Sequence, residues 1–177
     1  RFLLFLLNAY QSFLFNELLL GYLKALADAE GFRLLRRRAP FVGGGELLFP
    51  ERLPQATLER LRALELPVPG HDSRPRDERV HDLLEQVLVR EGITLEELRV
   101  RQMSGLSVHG VERAALLLPE GLEVLESGPD DLYPGKQKLT LEFSLPRGGY
   151  ATLVLKRLEA MPPTPAPAGV AAAAATP

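Results

Sequence analysis

The residues able to do chemistry are few and scattered. Three histidines are present. His81 and Glu85 stand at i and i+4 on a predicted helix, a spacing that can offer two metal ligands. No further histidine lies at ligand spacing in the chain, so the pair reads as a polar helix surface and no metal site is expected. His71-Asp72 falls in a charged loop and His109 precedes a glycine; both read as turn residues. Asp130-Asp131 is the only adjacent aspartate pair, set between glycine and proline, where carboxylates point to solvent. General acid–base work needs two carboxylates converging in a cleft with separated pKa values. Gly43-Gly44-Gly45 lacks the Lys-Ser/Thr and helix entry of a phosphate loop and reads as a hairpin tip.

Two other groups carry more information. Arg33, Arg36, Arg37 and Arg38 place four guanidiniums within six positions. Such a run can contact phosphates in a salt-dependent way, or form a solvated face neutralised by the acidic stretch at 77–97. Gln11, Ser12 and Asn16 are polar residues on an otherwise apolar helix. A buried amide without a partner costs about 1–3 kcal/mol. They therefore imply either hydrogen bonds to neighbouring loops, the favoured reading, or a functional surface.

Composition sets the frame for these residues. Among 177 residues, 46% are apolar and 25% charged, with net charge −2 and pI about 6.0. That is ordinary for a globular domain and gives no global basic field for nucleic acid. The absence of cysteine excludes disulfides, thiolate metal sites and a cysteine nucleophile. No uninterrupted apolar run approaches the length of about 18 residues that spans a bilayer, so no membrane role is expected. Arg1 stands where a start methionine would, directly at helix-like sequence, and the expectation is a fragment.

The elements that must position these residues follow from periodicity. Residues 2–29 predict a long helix, with Phe2, Leu6, Tyr10, Phe13, Asn16 and Leu20 near one stripe and Gly31 as its stop. Residues 32–50 predict a β hairpin. QATLERLRALE predicts a short helix after Pro54, ended by Pro67, Pro69 and Gly70. Residues 77–91 predict an amphipathic helix with Val80, Leu83, Leu84, Val87 and Leu88 inward. Thr94 and Glu97 have capping-box spacing for another short helix. GVERAALLLPEGLE at 110–123 predicts a turn and a buried strand, 128–135 a turn-rich loop, 137–145 a strand and 150–160 a helix. The Pro/Ala tail after Ala160 predicts disorder.

Three of these segments, in this order, resemble the TruD family of tRNA pseudouridine synthases. AYQSFLFNELL at 9–19 is similar to the Gln-Ser-x-Leu-Phe-Asn opening of that family's insertion domain. GVERAALLLPEGL looks like the domain's exit. LTLEFSLPRGGYATLVLKRL at 139–158 resembles the C-terminal signature Phe-x-Leu-Pro-x-Gly-x-Tyr/Phe-Ala-Thr followed by Leu-Arg-Glu-Leu. Glu112 replaces the first arginine of the family's exit pair, leaving Arg113. Lys156-Arg157 replaces the terminal Arg-Glu. The family's Gly-x-Lys-Asp motif, with the essential aspartate, is absent from the chain.

The resemblance implies an α+β fold. A mainly helical insertion domain with small β segments would occupy 1–118, a closing strand and helix of a catalytic domain 119–160, and a disordered tail 161–177. It implies cofactor-free isomerisation of uridine to pseudouridine at position 13 of tRNA, in the cytoplasm, by a protein whose catalytic half lies outside this chain. The partners it implies are tRNA and that catalytic half. Arg113, Tyr150 and Lys156 would support the active cleft, and Arg33, Arg36, Arg37 and Arg38 would face RNA. The alternative is a non-enzymatic RNA-binding or interaction module.

Overall fold

The computed structural model describes residues 2–38, 46–99 and 107–161, and, within β1, the backbone alone at Arg37 and Arg38. The expected glycine hairpin tip and the Pro/Ala tail lie outside the described residues. The chain is a mixed α/β assembly of α1 (Phe2–Glu30), β1 (Leu34–Arg38), β2 (Glu46–Pro50), α2 (Gln55–Ala63), β3 (Glu65–Val68), α3 (Glu78–Glu91), a 3-10 turn at Leu95–Leu98, β4 (Val111–Ala114), β5 (Glu120–Pro129), β6 (Gln137–Ser144) and α4 (Ala151–Ala160). The described strands form antiparallel pairs β1–β2, β3–β4 and β5–β6.

The long helix α1 organises the rest. It is apolar around most of its circumference, so periodicity could not select its buried face. That face carries Gln11, Leu14, Phe15, Leu18, Leu23, Leu26 and Ala27, and not the predicted stripe, whose Phe2 and Leu6 are exposed and whose Asn16 is exposed. Gln11 can sit there because its amide donates to Pro69 O at 2.8 Å and His109 O at 3.0 Å, which removes the desolvation penalty of an unpaired amide. By length and composition α1 could also cross a bilayer, although no unbroken apolar run in it could. Its middle is instead covered by α3 and β3.

Phe15 and Leu18 of α1, Leu66 and Val68 of β3, and Val80 and Leu84 of α3 form the central core. Gly21 lets α3 approach closely: a Cβ there would stand 3.3 Å from Leu83 Cδ2. Helix α3 has strong local ends. Asp77 accepts from Val80 N–H at 3.1 Å at the start, and Gly92 closes it with φ +67°. The Thr94–Glu97 box is present, yet only one 3-10 turn forms there in place of a helix. Arg99 adopts extended backbone directly after it.

Two expectations fail in the middle of the chain. The helix after Pro54 ends at Ala63, and Glu65–Val68 is a strand paired with β4. Pro67 is tolerated because β3 pairs on one side only and its missing N–H faces an open edge. The segment 110–123 is not a single buried strand. It gives the short β4, an irregular passage through Leu116, Leu117 and Leu118, and the start of β5. Strand β5 is exposed along nearly all its length, as is much of β6.

The C-terminal end of α1 is tied to α2. Glu30 accepts from the buried Thr57 hydroxyl and from the Arg60 guanidinium. Thr57 first, then Arg60, hold the Glu30 carboxyl below its ordinary value of 4.5. A carboxyl depressed by folding adds stability above its unfolded pKa and loses it as pH falls through the lower folded value. Stability is therefore expected to drop on acidification below about pH 4.5, and Glu30→Gln to flatten part of that drop. Urea midpoints measured from pH 7 to pH 3 check this; parallel curves for both proteins would remove Glu30 from the account.

Candidate nucleic-acid interface

The segment 139–158 presents an exposed aromatic residue, Tyr150. After β6 the chain turns at Pro146-Arg147-Gly148-Gly149, where Gly149 N–H donates to Pro146 O at 2.9 Å. Gly148 has φ +86°, a value that glycine adopts freely in the third position of such a turn. Gly149 is crowded: a Cβ would come within 3.0 Å of both Leu117 Cδ1 and Pro146 O. The glycine pair thus delivers Tyr150 to the N-cap of α4, where the residue is 55% exposed.

Along α4, Lys156 and Arg157 diverge. Lys156 Nζ pairs with Glu159 Oε2 at 2.7 Å. Arg157 lies three residues after the buried Val154 and so shares its face. It donates through Nη2 to Glu51 O at 3.0 Å, and its Nη1 is buried without a partner among the described residues. Arg157, and not Lys156, lines an apolar cleft of about 520 Å³ together with Asn16, Leu19, Leu48, Leu61, Leu116 and Val154. Arg157 is the residue that the sequence reading passed over. Helical spacing from the apolar Val154 was the available signal.

The other expected site residues are spread over the molecule. Arg113 on β4 lays its guanidinium 4.8 Å from the centre of the Phe15 ring, a cation–π contact with the core helix. Arg33 and Arg36 pair with Glu51 and Glu46 at 3.2 and 3.4 Å. Their neutralising partners are thus at the ends of β2, not in the acidic stretch 77–97. Arg37 and Arg38 sit opposite Leu47 and Glu46 in the hairpin register. Ser12 is half-buried beside Gln11. His81 and Glu85 lie exposed on α3, and His81 faces Asp82 at 3.7 Å. Asp130 caps its own loop by accepting from Leu132 and Tyr133 N–H groups, and Asp131 pairs with Lys138.

Sequence distance concealed one cluster. Pairing of Val68 with Val111 carries the antiparallel register onward, so that His71 N–H meets Val108 O at 3.1 Å. His71, Asp72 and His109 are thereby brought together, with ring centres of the two imidazoles 4.7 Å apart. Asp72 accepts from Gly110 N–H and faces His109 Nδ1, both at 2.7 Å. Gly110 first, and then His109, hold the Asp72 carboxyl down to about 2.

With this geometry in place, the comparisons define the class. The fold matches the crystal structure of a tRNA pseudouridine synthase D from Methanosarcina mazei with TM-score 0.55 and 29% identity, over 87% of this chain and 37% of that one. Residues 1–158 match the family model described as tRNA pseudouridine synthase D (TruD). The chain belongs to the TruD family. Its relatives include the tRNA pseudouridine synthase D of Aquifex aeolicus, 31% identical over 85% of this chain and 35% of the relative. Another is that of Leptospira interrogans, 28% identical over 88% and 37% respectively. The chain spans about a third of the length of the curated relatives it matches.

Proposed function

We propose that the chain contributes to a tRNA pseudouridine synthase, an isomerase that converts a uridine of tRNA, at position 13, to pseudouridine without a cofactor. In this reading residues 1–118 are the insertion domain, residues 119–160 close the catalytic domain, and the catalytic aspartate is supplied by sequence outside the chain. The isomerisation breaks the N1–C1′ bond, turns the uracil and joins C5 to C1′, with a proton leaving C5 and one gained at N1. The uridine must first leave its stack.

The observation that carries this reading is Tyr150. A tyrosine presented at a helix start by a two-glycine turn, the residue more than half exposed, offers a stacking surface for an extruded base. Arg113, stacked on Phe15, and Lys156, tied to Glu159, would hold the surrounding elements in place. The guanidiniums of β1 would meet tRNA phosphates. The exposed pairs Arg33–Glu51 and Arg36–Glu46 are each worth only about 0–1 kcal/mol and can be exchanged for phosphate contacts.

Base–aromatic stacking is worth about 1–3 kcal/mol. In the longer protein that carries this chain, Tyr150→Ala is expected to lower kcat/KM for pseudouridine formation by about 10–100-fold. Tyr150→Phe should retain most activity. Release of label from C5-tritiated uridine in a tRNA transcript measures both. An alanine variant as active as its parent would exclude the stacking role, and product formed by the 177-residue chain alone would refute an external aspartate.

A further inference from the structure

We propose that His71, Asp72 and His109 form a binding site for a first-row transition dication of the zinc or nickel class, which ties the loop after β3 to the loop before β4. Two imidazoles and a carboxylate are a donor set that such ions accept. One donor atom from each residue lies within 4.8 Å of the other two. Donors about 2.1 Å from an ion at tetrahedral angles stand about 3.4 Å apart. Closure therefore needs a shift of up to about 1.4 Å, available to the exposed side chains of Asp72 and His109 by rotation about their own bonds.

The backbone under these side chains is already fixed. His71 N–H donates to Val108 O, and Gln11 spans Pro69 O and His109 O from the buried face of α1. Gly70 N–H donates to the buried Ser73 Oγ at 2.9 Å. Two loops 37 positions apart are thus locked together before any ion arrives, which limits the ordering that binding must impose. Asp72 Oδ1 is anchored by Gly110 N–H. Its Oδ2, 2.7 Å from His109 Nδ1, would exchange that contact for the ion as both residues ligate. The nearest cation in the loop, Arg74, does not compete for the carboxylate: its Nη1 donates to Ser73 O at 2.6 Å. In contrast, His81 on α3 pairs with Asp82 at 3.7 Å and belongs to no group of three such ligands among the described residues.

Calorimetric titration of the 177-residue chain with zinc chloride in a non-chelating buffer tests the site. One equivalent is expected to bind. His71→Ala and His109→Ala should each weaken binding at least about 10-fold, as should Asp72→Asn, while His81→Ala should leave it unchanged. Absence of saturable binding, or binding indifferent to the first three substitutions, would overturn the proposal. Should the variants unfold, the unaltered chain decides. Cobalt(II) added to it should broaden the imidazole NMR signals of His71 and His109 and spare those of His81. Broadening of all three alike, or of none, would be the contrary result.

Discussion

Replacing Leu18 with alanine is expected to lower the unfolding free energy by about 3–5 kcal/mol. Leu18 is fully buried, one turn beyond the equally buried Leu14. It belongs to the cluster of Phe15, Leu66, Val68, Val80 and Leu84, in which α1, β3 and α3 meet. A cavity there cannot be closed by moving one element, because the cluster is built from three. The surrounding side chains can relax only partly, which places the cost toward the upper end of the Leu→Ala range. Val89 on α3, 74% exposed, serves as the contrast, with a change on alanine substitution within about 0.5 kcal/mol. Urea unfolding followed by circular dichroism measures the two together. Equal effects would mean that the core is not centred on α1.

Gly70→Ala is expected to cost about 3 kcal/mol for a different reason. A Cβ at Gly70 would overlap the backbone of His109 and Gly110, and backbone on the far side of a locked crossing cannot rotate away. At Gly110 the obstacle is only Ser73 Oγ, the end of a short side chain. That hydroxyl can turn aside at the loss of its bond from Gly70 N–H, worth about 1 kcal/mol. The ordering Gly70→Ala well above Gly110→Ala is the informative result. Amide exchange at His71, which donates to Val108 O, should accelerate markedly in the first variant. Retained protection there would show that the crossing is looser than its geometry implies.

Local chemistry made most helices and hairpins legible in the sequence. Asp77 and Gly92 bracket α3, Gly31 stops α1 with φ +73°, and the Pro-Arg-Gly-Gly turn separates β6 from α4. What escaped reading depended on tertiary context. Pro67 and Pro69 are ordinary terminators in a linear reading, and only the one-sided pairing of β3 makes Pro67 acceptable in a strand. Without β3 there is no register to carry His71 toward His109, so the histidine cluster was beyond reach. The acid-rich β5 lacks the alternation that marks a half-buried strand, because it is exposed on both faces. For the proposed interface, Tyr150 rests on family resemblance and on its exposure at the start of α4. The inward turn of Arg157 required knowing which face of α4 is covered.

The β5–β6 hairpin holds a further consequence. Among the described residues its two strands pair only with each other, and Val124, Leu125 and Leu139 are all more than half exposed. Its tip, too, presents Leu132 and Tyr133 to solvent. A bare two-stranded ribbon is marginal in water, and its open edges are templates for other strands. Produced by itself, the chain carries an adhesive surface whose effect grows with concentration. The same edges offer backbone hydrogen bonds to any sheet that meets them in register. Pairing with a further strand and self-association would therefore draw on one and the same set of amide and carbonyl groups.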